Sequence, residues 1–110
     1  MLVGDVAQAL LTITQVRTAL DAVVVRGVRA VAGEQLRELN ALACEMDRIG
    51  ASHVSSLLST LAGQIDAGDA TAAGTLMTAI SHARLLDRLL TLRAVGAAYT
   101  EALKPGEEHG

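Results

Sequence analysis

Few residues of this chain have the types that do covalent chemistry, and their spacing suits it poorly. Cys44 is the single cysteine, and His53, His82 and His109 are the only histidines. A thiol nucleophile needs a base within hydrogen-bond reach. The spacing puts no histidine beside Cys44. His53 follows Ser52, an expected helix cap, and reads as solvent-exposed. His82 falls off the apolar stripe of its helix, and His109 lies in the terminal tail. Cys44 is therefore expected to be a small, partly buried thiol. No Cys-x-x-Cys, His-x-x-x-His or Glu-x-x-His occurs, the spacings that gather zinc ligands on one turn or helix face. Gly63, Gly68 and Gly74 lack the order of a phosphate-binding loop. The expectation is no enzyme, no metal and no cofactor.

The charged residues invite a structural reading instead. Arg17 and Asp87 each interrupt an apolar stripe. Arg17 can pack its stem and send its head to water, can meet Asp21 four residues on, or can pair with Asp87 across antiparallel helices. A pair of the last kind sets register more than it adds stability. Arg84, Arg88, Arg93 and Lys104 make the last helix mildly basic, and Arg26 and Arg29 suit a helix C-terminus. Nucleic-acid binding asks for clustered positive charge and stacking aromatics. The net charge is −3, Tyr99 is the only aromatic of the Phe/Trp/Tyr set, and no nucleic-acid partner is expected.

The elements that would position these residues follow from composition. The chain has 110 residues, with 20 Ala, 17 Leu and 10 Val, and its one proline is Pro105. Such a chain is too apolar for disorder and has the makings of helices. A spanning helix needs about 20 mainly apolar residues. The charge-free stretch 51–65 carries too many Ser, Thr, His and Gln for that. The start has no positively charged leader region. With one reduced cysteine, a cytoplasmic location is expected.

Apolar spacing predicts helices over about 5–31, 34–49, 52–67 and 70–103. In the first, Asp5 is the expected N-cap. Val3, Val6, Leu10, Ile13, Leu20, Val24 and Val31 form a heptad-like seam, broken by Arg17 and Gly27 and widened by Leu11, Val16, Val23 and Val28. The β-branched run Val23-Val24-Val25 offers a strand as the alternative. In the second, Leu36, Leu39, Leu42, Ala43, Met46 and Ile49 share a face, and Gly50 ends it. The third starts at Ser52 and buries Val54, Leu57, Leu58, Leu61, Ala62 and Ile65. Gly68 ends it, and Asp69 caps the fourth. There Leu76, Met77, Ile80, Ala83, Leu86, Leu90, Ala94 and Ala97 or Ala98 mark the buried side, while Leu85, Leu89 and Leu92 spread apolar surface onto a second. Gly96 marks a bend or an early end. The predicted fold is all-α, an antiparallel four-helix bundle over 1–104 with long first and fourth helices, two short middle helices, and a disordered tail over 105–110.

Two short helices cannot cover the apolar length of two long ones. Surplus apolar helix surface of this kind marks an interface. Val23, Val24 and Val28 on the first helix and Leu85, Leu89 and Leu92 on the fourth are the expected interface residues. They point to a non-enzymatic interaction or assembly module, as a homodimer or docked on another helical protein. The alternative is a small-molecule-binding domain with an apolar pocket between helices.

One further pattern is Val25-Arg26-Gly27-Val28, then Leu36, Leu39 and Leu42, then Ile49-Gly50, then Leu57-Leu58 and Leu61. It resembles the helical region of some bacterial proteins that carry a SWIM-type zinc finger, over about residues 20–92. The zinc-ligand Cys and His motif of those proteins is absent here. The resemblance implies no metal or DNA-binding role.

Overall fold

Glycines with positive φ punctuate an otherwise helical chain: Gly27 at 90°, Gly50 at 91° and Gly68 at 68°. L-residues with a side chain rarely adopt this conformation, so each glycine ends a helix: Gly50 and Gly68 where the sequence predicts, Gly27 inside the expected span of the first helix. The computed structural model describes the backbone over residues 2–103 and the side chains over residues 6–103. Its α-helices are α1 (Leu2–Arg26), α2 (Gly33–Arg48), α3 (Ser52–Ala67) and α4 (Ala72–Ala102), with a 3-10 turn over Val28–Ala30. Among the described residues there is no strand.

The short connectors force antiparallel neighbours. α1 packs mainly on α4 and α2 mainly on α3, while α3–α4 and α1–α2 contacts join the two pairs into one bundle. After α2, the Ala51 N–H reaches the Met46 carbonyl at 2.8 Å and the Gly50 N–H reaches Asp47 at 3.0 Å. After α3, the Asp69 N–H reaches the Gln64 carbonyl at 2.8 Å and the Gly68 N–H reaches Ile65 at 3.1 Å. Both turns thereby satisfy carbonyls that a helix end would leave unpaired. A tertiary bond pins the α2–α3 hairpin: the Ser55 hydroxyl donates to the Ala43 carbonyl at 2.7 Å.

The core is aliphatic. Ile13, Val16, Leu20 and Val23 from α1 meet Leu39 and Met46 from α2, Leu58 and Leu61 from α3, and Ala79 and Ala83 from α4. The alanines of α4 let α1 and α3 approach closely.

Several expectations need correction. The buried stripe of α1 is Val6, Ala9, Ile13, Val16, Leu20 and Val23, rotated from the expected seam. The reason is visible in the residues: this stripe is free of charge and glycine, whereas the expected one contained Arg17 and Gly27. Val24 and Leu11 are consequently exposed. Val3 lies outside the residues whose side chains are described. α1 already includes Asp5, which is therefore not an N-cap, and it stops at Arg26 rather than Val31 because Gly27 turns the chain. The valine run is helical, not a strand. Ala51, not Ser52, occupies the cap position of α3. α4 begins at Ala72, with Asp69 accepting hydrogen bonds in the preceding turn from the N–H and hydroxyl of Thr71 at 2.9 and 2.7 Å. Met77 is exposed, and Ala79 takes the buried place. Gly96 does not end α4, which runs on to Ala102. The tail expected over 105–110 lies outside the described residues.

Candidate interaction surface

At about 1.5 Å per residue, α4 is about 46 Å long and α1 about 37 Å, against about 24 Å for α2 and α3. The molecule measures 62 × 19 × 19 Å. The α2–α3 turn reaches α4 near its middle, where Gly50, Ala51, His53 and Val54 border a depression with His82, Leu85, Leu86 and Leu89. Beyond Ala83, no described residue of α4 is fully buried. From there on α4 has α1 as its main neighbour.

Arg17 and Asp87 fix the register of that pair, the arginine Nη1 donating to the aspartate carboxylate. The Thr91 hydroxyl adds a longer bond to the other carboxylate oxygen, at 3.4 Å. Of the readings open to Arg17, the pairing with Asp87 is the one present. Both side chains remain partly exposed, at 43% and 24%, so the stem of Arg17 packs and its head still meets water.

The α1-facing side of α4 outside the core carries Leu86, Leu90, Ala94 and Ala97, all half-buried. The opposite side carries Leu85, Leu89, Leu92, Gly96, Tyr99 and Leu103. These recur in strict steps of four and three, the spacing of a coiled-coil seam. Their large side chains are 51% to 65% exposed. A long helix apolar on two sides is normally covered on both. Sequence reasoning found Leu85, Leu89 and Leu92 but missed that Tyr99 and Leu103 continue the same line through Gly96. The four-three spacing carried that signal.

The other expected interface residues fare differently. Val23 is fully buried in the chain's own core and offers nothing to a partner. Val28 is half-buried against that core, and Val24 is exposed. The register of α1 on α4 puts Val24 level with Ile80, inward of the α4 seam. The structure thus does not join the two expected groups into one surface.

Arginines border the seam. Arg88 precedes Leu89 on one flank and Arg93 follows Leu92 on the other, with Arg84 one turn before Arg88. All three are exposed. The Arg17–Asp87 and Arg48–Glu45 ion pairs do not engage these arginines. The Glu45–Arg48 pair lies on α2, where the Arg48 side chain holds the Glu45 carboxyl below its ordinary range, chiefly by hydrogen bonding.

Of the residues with chemical potential, the structure brings His53 and His82 together and leaves Cys44 apart from both. Cys44 is exposed rather than partly buried. His53 and His82 meet edge to face, with ring centroids 4.5 Å apart and planes at 76°. Among the described residues, no hydrogen bond or ring contact joins either histidine to Cys44, and no group of three or more His, Cys, Asp and Glu side chains comes together. No helix of the described residues is long and apolar enough to cross a membrane.

No protein-family model, curated protein or solved structure matches the chain. Nothing in these comparisons bears on the resemblance to the helical region of SWIM-type proteins.

Proposed function

We propose that this protein is a non-enzymatic helical interaction module that works in the cytoplasm and buries surplus apolar helix surface against another chain. The observation that carries this reading is the exposed four-three seam from Leu85 to Leu103. With Val95 beside it, the seam leaves on the order of 600 Å² of apolar side chain in water, the upper end of what a monomer commonly exposes in one patch. The occupant is a helix, because a four-three line of leucines is complementary to another such line. A second copy and a different helical protein both offer that shape.

Less supports an apolar small-molecule pocket between helices. The depression beside His53, His82 and Leu85 holds about 280 Å³, but it opens to solvent and its leucines belong to the seam. The space enclosed between α1 and α4 near Leu20 and Ile80 is about 10 Å³, room for one water at most.

The test compares the wild-type chain with a Leu89→Gln/Leu92→Gln variant, each purified gently from its source cell. Wild type is expected to sediment above its 11.4 kDa monomer mass, and the variant as the monomer. Identical monomeric behaviour of both would remove the reading.

A further inference from the structure

We propose that the α4 seam docks an acidic amphipathic helix of a different protein in preference to a second copy of this chain. The inference rests on the interaction-module reading and adds the chemistry of the partner. Its basis is the placement of charge. In heptad terms Leu89, Gly96 and Leu103 occupy a positions, and Leu85, Leu92 and Tyr99 occupy d positions. Arg88 is then at g and Arg93 at e, the positions whose charges choose partner and orientation in paired helices.

A second copy meets its own charges in either orientation. In a parallel pair, the g residue of one helix faces the e residue five places on in the other, which sets Arg88 against Arg93 twice. In an antiparallel pair with the whole seam overlapped, the two-fold axis falls at Ala94 and sets Arg93 against its own copy. Like charges at such positions oppose association by about as much as opposite charges favour it. Asp87 does not relieve the clash, since its carboxylate is engaged by Arg17 on the other side of α4. Glu101, also on α4, falls at f, off the e and g flanks, and already makes an interaction of its own. The acidic residues of α2 and the α3–α4 region, among them Glu34, Glu38, Asp47 and Asp66, lie on other elements. A partner helix with leucines in four-three steps and Glu or Asp beside them matches both the apolar line and the arginines. Gly96 adds a constraint of shape. An added Cβ there meets open space, so the partner can approach closely and place a large side chain over the gap.

The experiment uses the full chain with Cys44→Ser and two synthetic helices of about three heptads. Both carry Leu at a and d. One carries Glu at e and g, the other Lys. Binding is read by fluorescence anisotropy at low and high salt, with sedimentation of the chain alone under the same conditions. The Glu peptide is expected to bind at least about tenfold more tightly than the Lys peptide, the equivalent of about 1.4 kcal/mol. That advantage should shrink with salt. Arg88→Glu/Arg93→Glu, at two exposed positions, should reverse the preference. Equal binding of both peptides, or no reversal, overturns the charge assignment and leaves the seam as a docking face. A chain that dimerises through Leu89 and Leu92, more tightly as salt rises, overturns it in favour of a second copy. Failure of both peptides, with monomeric wild type and Leu89→Gln/Leu92→Gln alike, removes the docking face as well.

Discussion

Arg17 and Asp87, separated by 70 positions in the chain, pair across α1 and α4. Fully buried residues of α1 lie on both sides of Arg17, Ile13 and Val16 before it and Leu20 and Val23 after it. The ion pair ties the two longest helices together at a part-exposed site, so its effect is on alignment more than on total stability.

Arg17→Met and Asp87→Leu should each lower stability by about 1 kcal/mol, with a measurable coupling between them. The double variant should recover most of the loss, because the partnerless charge is gone and apolar atoms fill its place. Urea unfolding of the four species gives the cycle. Additive single effects would mean that the pair does not act as a unit.

Truncation should separate core from seam. Leu58→Ala removes a fully buried side chain and is expected to cost about 2–5 kcal/mol. Leu89→Ala removes one that is more than half exposed and should cost the isolated chain less than about 1 kcal/mol. Chemical denaturation of the monomer checks both, and comparable losses would place Leu89 in a core of its own.

Two glycines should respond with opposite signs. Gly27 sits at φ 90° and ψ 144°, a region nearly closed to other residues, and Gly27→Ala should destabilise by about 1–3 kcal/mol. Gly96 lies within α4 at ordinary φ with open space where a Cβ would go. Gly96→Ala should stabilise the free chain by up to about 1 kcal/mol. The same change should weaken association through the seam, so thermal unfolding and partner binding should move in opposite directions.

The turn before α4 carries a pH dependence. The Thr71 N–H, then its hydroxyl, hold the Asp69 carboxyl below its ordinary range. The unfolded chain therefore takes up this proton more readily than the folded one. The contribution is present above the unfolded carboxyl value and is lost as pH falls through the lower folded one. Asp69→Ala should lower Tm at neutral pH, and its difference from wild type should vanish in strong acid. A difference that is constant with pH would mean the carboxylate charge plays no part.

Much of the fold was legible because α2 and α3 each have one apolar side and a glycine stop. Leu39, Leu42, Ala43 and Met46 are buried together as their spacing requires, and Gly50 and Gly68 end their helices as expected. α1 was harder. It is apolar over more than one side, so spacing alone left two overlapping stripes, and the core selected the one without Arg17. The same ambiguity in α4 hid the full length of its outer line, since Gly96 and Tyr99 do not read as members of a leucine series. Val23 was misplaced for a related reason: adjacent valines look alike in sequence, yet a helix turns one inward and the next outward.

Beyond Ala83 α4 buries no described residue fully, and this leaves the length of its outer stretch weakly tied to the rest of the molecule. Adding or deleting seven residues in both helices would move the far end by about 10 Å while leaving the α2–α3 hairpin untouched. The protein is built as a handle of adjustable reach on an invariant grip.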